Sequence, residues 1–113
     1  MASIVTEAGQ SYGRPTLSAQ LLTNITATDQ GSWFNIAGFF PVSIHVDGAA
    51  GNQIQLLASN RFEAPPSHIG VQASGIVNED RIIILPAPVR WVRARVTGYT
   101  SGTINVYLFG VMN

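Results

Sequence analysis

The chain has 113 residues, formal net charge zero and only 11% charged residues; six arginines balance six carboxylates, and there is neither lysine nor cysteine. That balance lacks the basic surplus with which proteins neutralise nucleic-acid phosphates, so nucleic acid is not expected as a partner. The lack of cysteine excludes disulfides and thiolate metal sites. The length suits one domain with a single core. A surface so poor in charge is weakly protected from association, which points to an obligate oligomer or a subunit bound to a larger assembly.

Residues 1–16 lack a clean period and contain Gly9, Gly13 and Pro15, so they read as an extended arm that orders against a partner. The opening Met-Ala-Ser-Ile-Val-Thr-Glu has no basic segment followed by an apolar stretch, and no secretory signal is read there. The Asn24-Ile25-Thr26 sequon is therefore treated as a coincidence. No apolar run approaches the roughly 20 residues of a membrane helix. Residues 17–28 are rich in Leu, Ile and Thr, a strand composition. Their buried face is ambiguous, because Leu22 and Leu21 lie on opposite parities. Asp29-Gln30-Gly31-Ser32 reads as a turn, and residues 33–36 as a short strand broken by Gly38.

The middle of the chain has clearer patterning. Phe40, Val42, Ile44 and Val46 alternate with Pro41, Ser43, His45 and Asp47; after Gly48-Ala49-Ala50-Gly51-Asn52 the apolar parity resumes at Ile54, Leu56 and Ala58. This predicts an antiparallel hairpin. Residues 60–74, with Pro65-Pro66 and Gly70, read as a long loop holding one short strand near residues 69–73. Residues 81–85 form a near-continuous apolar run, the pattern of a strand buried on both faces. Pro86 and Pro88 then interrupt pairing.

The most informative stretch is residues 89–109. Val92, Ala94 and Val96 alternate with Trp91, Arg93, Arg95 and Thr97; beyond Gly98-Tyr99-Thr100-Ser101-Gly102, Ile104, Val106 and Leu108 alternate with Thr103, Asn105, Tyr107 and Phe109. The period predicts a second hairpin in which Val96 meets Ile104 and Val92 meets Leu108. Its other face would then pair Arg95 with Asn105, Arg93 with Tyr107 and Trp91 with Phe109. Trp, Tyr, Phe and Arg are the residues enriched at protein interfaces, so Trp91, Arg93, Arg95, Tyr107 and Phe109 are the expected interface. The competing reading is an ordinary amphipathic surface with arginine stems lying over rings. No helical stripe occurs anywhere. The expectation is an all-β antiparallel sandwich, jelly-roll-like, of seven or eight strands, comprising an arm (1–16) and a sandwich domain (17–113).

Nothing in the residues identifies a reaction, and no cofactor or metal is expected. His45 and His68 have no metal-ligand spacing. Glu79-Asp80 reads as a solvated turn rather than an acid–base pair, which needs a shared cleft. No nucleophile-elbow motif is present. Trp33, beside Ser32 and Asn35, has the polar neighbours of a sugar-stacking ring, although a tryptophan at a strand start is more often packed.

The stretch P-V-R-W-V-R-A-R-V-T-G-Y-T-S-G-T-I-N-V-Y-L, preceded by P-V-S-I-H-V-D-G and Q-I-Q-L-L-A-S-N, resembles small structural proteins of tailed bacteriophages. Within that group it is similar to the β-sandwich proteins that decorate or cement the capsid. The resemblance covers roughly residues 33–109 and rests on texture, so it assigns no site residues. It implies a non-enzymatic virion protein at the capsid surface, made in the host cytoplasm. Its implied partners are the major capsid protein, whose capsomers it would bridge, and its own copies, commonly as a homotrimer. A carbohydrate-binding sandwich module is the alternative, and a tail or baseplate accessory protein the third reading.

Overall fold

The computed structural model describes residues 4–11, 13–65, 70–73 and 75–112. The alternating and β-branched runs form nine strands: β1 Val5–Ser11, β2 Arg14–Ile25, β3 Phe34–Asn35, β4 Phe39–Asp47, β5 Gln53–Ser59, β6 Val71–Gln72, β7 Arg81–Ile84, β8 Trp91–Gly98 and β9 Ile104–Met112. They make two antiparallel sheets, a five-stranded one in the order β1-β2-β9-β4-β7 and a four-stranded one in the order β3-β8-β5-β6. Without β1, the two orders are those of two interlocked Greek keys, the connectivity of a jelly roll. The expected all-β sandwich is thus the fold.

Neither expected hairpin forms. β8 pairs with β5 and β3, whereas β9 pairs with β2 and β4. The Gly98–Gly102 turn is therefore an arch that carries the chain from one sheet to the other, and the 48–52 turn between β4 and β5 is its counterpart. In both readings the same alternate residues face the core. Val42, Ile44, Val46, Ile54, Leu56, Val92, Ala94, Val96, Ile104, Val106 and Leu108 are all buried, interdigitated between two sheets rather than side by side on one.

The two arches meet at one end, joined by the buried Asn52. Its Nδ2 donates to the carbonyl oxygens of Gly48 (3.0 Å) and Ser101 (2.9 Å), and its Oδ1 accepts from the amides of Thr100 (2.6 Å) and Ser101 (3.3 Å). Gly48 has φ +85°, and a Cβ there would lie 2.0 Å from the Thr103 carbonyl oxygen. Only glycine allows both that backbone and that approach. Asp80, read as part of a solvated turn, accepts from the Ala49 amide at 2.8 Å and fixes the same arch.

Two further expectations are corrected and one ambiguity is explained. Among residues 1–16, the described ones are not a free arm: β1 pairs with β2 in register from Val5↔Gln20 to Ser11↔Arg14, and β2 runs through the supposed boundary at residue 16; residues 1–3 and 12 lie outside the described residues. The pairing needs only backbone groups, so the polar and glycine-containing sequence hides it. The ambiguity in β2 is real and has a cause. A register shift between Gln20 and Leu22 turns both Leu21 and Leu22 inward, as a β-bulge does. Finally, residues 81–85 are not buried on both faces. β7 is an edge strand, Leu85 is buried, and Ile82 and Ile84 are 65% and 68% exposed.

Candidate functional site

Placing β8 and β9 in different sheets divides the expected interface. Trp91, Arg93 and Arg95 stand on the outer face of the four-stranded sheet, while Tyr107 and Phe109 stand on the outer face of the five-stranded sheet, on the far side of the core. The structure does not bring the five together. Strand alternation specifies which face a side chain takes, not which strand lies beside it.

The centre of the outer face of the four-stranded sheet, around Arg93, is covered by the chain itself. Residues 29–35 run along the edge of β8, held by the Asp29↔Val96 bridge and by β3. Gly31 lies so close that a Cβ there would be 1.9 Å from the Ala94 carbonyl oxygen. From this strap, Gln30 accepts hydrogen bonds from Arg93 through its backbone oxygen (from Nε) and its Oε1 (from Nη2, 3.4 Å). The Trp33 ring lies 5.9 Å from the Arg93 guanidinium and reaches across to Gly70. Beneath it, Leu57, the register partner of Arg93, is also buried. Arg93 is only 2% exposed, and burial followed by the neighbouring charge of Arg95 lowers its pKa, with Asp29 acting in the opposite direction. An arginine stays charged despite such a shift. Arg95 Nε donates to Gln55 Oε1 (2.6 Å) and Trp91 Nε1 to the Arg61 carbonyl (3.0 Å). These three side chains hold the subunit together. Trp33, half-buried against Arg93, is not an open sugar platform.

The outer face of the five-stranded sheet is open. Its register aligns Glu7, Ser18, Phe109, Ser43 and Ile84 in one row. The next aligns Val5, Gln20, Tyr107, His45 and Ile82. Phe109 and Tyr107 are 45% and 40% exposed, and His45 packs its ring 5.8 Å from that of Tyr107. A shallow groove of about 380 Å³ runs over these rows. Ile82 and Ile84 on β7 and Tyr107 and Phe109 on β9 are thus exposed apolar pairs on one face, separated by Ser43 and His45 of β4 and bordered by Ser18, Gln20 and Glu7 toward β1. Sequence reasoning missed the two isoleucines, because a run of apolar residues looks the same whether its second face is covered or not.

Among the described residues, no cluster of three or more His, Asp or Glu side chains is placed to hold a metal ion. His68 lies outside the described residues. No protein-family model matches the chain, and no curated protein or solved structure is significantly similar to it. The class defined by the structure is therefore the fold itself, a jelly-roll β-sandwich with one outer face covered by the chain around Arg93 and the other open.

Proposed function

We propose that this protein is a non-enzymatic structural subunit of a bacteriophage virion, one that decorates or cements the capsid. It would lay the open face of its five-stranded sheet on the major capsid protein. Jelly rolls serve both viral coats and sugar-binding domains, so the fold alone does not choose. The observation that carries the reading is that Ile82 and Ile84 on β7 and Tyr107 and Phe109 on β9 are exposed on one face, with only Ser43 and His45 of β4 between them, since exposed apolar surface of this kind on soluble proteins marks interaction surfaces. The low charge of the whole chain supports the same reading.

The test is binding to heads assembled without this subunit from the major capsid protein of the same phage. Wild-type protein should bind them and raise their disruption temperature. Tyr107→Ser with Phe109→Ser should lose binding at least tenfold and still fold. Binding to tails instead would move the subunit to the tail, and binding to neither would overturn the reading. The polar neighbours of Tyr107 (Gln20, Ser43 and His45) favour glycan binding as the second reading. Saturable binding of a polysaccharide, lost in the same double variant, would establish it.

A further inference from the structure

From the free edge of β7 we infer that this chain pairs with a second copy of itself, strand to strand, forming a two-fold dimer with a continuous ten-stranded sheet. This goes beyond docking on a capsid and rests on the unpaired backbone edge of β7 rather than on the outer face alone. The sequence of residues 81–85 has the composition of a strand covered on every side, yet β7 pairs only with β4. Among the described residues, no backbone hydrogen bond reaches its other edge. A β-branched edge strand left bare in this way is a template for another strand. The four-stranded sheet shows the contrast: β8 is flanked by β3 and Asp29, and β5 by β6 and Val77.

Hydrogen-bond parity specifies the register. Leu85 donates its amide to Val42 on β4 (3.0 Å), so by alternation Arg81 and Ile83 also turn their backbone groups toward β4. The N–H and C=O groups of Ile82 and Ile84 therefore point out of the sheet edge. They belong to the two residues whose side chains lie bare on the outer face. An antiparallel copy related by a two-fold axis through Ile83 sets Ile82 opposite Ile84 of the second copy, and the reverse. Each such pair exchanges both hydrogen bonds, and four isoleucines line up on one face as β-branched cross-strand pairs. In this register Arg81 faces Leu85, Asp80 faces Pro86 and Glu79 faces Ala87, so no charge opposes another charge. Pro86, which has no N–H, ends the pairing.

The opposite edge of the sheet is a poorer partner. Pairing β7 with β1 would set the isoleucines beside a strand that carries Glu7, Gly9 and Gln10 rather than a β-branched run. It would also build a head-to-tail chain that closes only at a particular rotation, whereas the two-fold pairing is self-complementary.

The test uses the full chain at about 10 µM. Light scattering should give the mass of two 12.1 kDa chains, and Ile84→Lys, at an exposed position, should weaken the dimer at least tenfold while leaving the melt unchanged. Ile83→Cys should cross-link into a covalent dimer under mild oxidation. Residues meeting themselves on the axis form a non-hydrogen-bonded pair with Cα atoms about 4.5 Å apart, within disulfide range. Ile82→Cys, offset from its own copy by two residues along the strand, should not cross-link. A wild-type monomer or trimer, a dimer indifferent to Ile84→Lys, or equal cross-linking of both cysteine variants would overturn the pairing. A monomer that still binds heads would refute the dimer and leave the capsid role intact; a dimer that binds none would do the opposite.

Discussion

Replacing Asn52 by alanine removes the link between the two arches, and its cost follows from the bonds it makes. Four hydrogen bonds are lost: two given to Gly48 and Ser101, and two taken from Thr100 and Ser101. Each contributes about 0.5–1.5 kcal/mol net, so the ceiling is about 6 kcal/mol. Thr100 and Ser101 are exposed and Gly48 is half-buried, so the freed backbone groups reach water in the variant and the full penalty for burying them unpaired does not apply. The loss should therefore sit near 3 kcal/mol, a fall in Tm of about 10–15 °C for a domain of this size. Urea melts monitored by tryptophan fluorescence measure it, with the slope against denaturant unchanged because the exposed area on unfolding is the same. Amide exchange at Thr100 and Ser101 should accelerate together in N52A. A loss below about 1 kcal/mol, or protection retained at both amides, would refute the claim that this one side chain holds the arches together.

Two further outcomes discriminate between residues that look alike in sequence. Arg93→Ala should lower stability by about 2–3 kcal/mol, through its lost charge-assisted bonds to Gln30 and the gap under Trp33, and should leave the oligomeric state unchanged by light scattering. An Arg93→Ala protein that melts normally but dissociates would put this residue back at an interface. Gly48→Ala should prevent folding or cost more than about 3 kcal/mol, because its Cβ would strike the Thr103 carbonyl. Gly102→Ala, with a similar φ of +84° but open space around it, should cost only about 1 kcal/mol of backbone strain; equal losses in thermal melts would contradict the close approach of the arches.

Period-two alternation was enough to identify Val92, Ala94, Val96, Ile104, Val106 and Leu108 as core, and the turn residues placed most strand ends within two or three positions. Alternation reports a property of one strand against the core, and burial of alternate side chains is the same in a hairpin and in an arch. A five-residue turn with glycine near each end serves both, so the pairing of β8 with β5 and of β9 with β2 and β4 was not legible. The grouping of Trp91, Arg93 and Arg95 with Tyr107 and Phe109 on one face failed for the same reason. Whether a polar outward face is wet, docked or covered depends on what lies over it, and what covers Arg93 is a strap some sixty residues earlier in the chain.

Local chemistry thus determined the strand content, the inward residues and the low surface charge, because each depends on side-chain type and near neighbours along the chain. Tertiary structure decided the sheet in which each strand sits. It buried Arg93 within the subunit, and it left the isoleucines of β7 bare. The physical reason is that these outcomes depend on long-range backbone pairing and on which loop crosses which face. Backbone N–H and C=O groups are the same in every residue but proline, so the side-chain sequence of one strand does not name its partner.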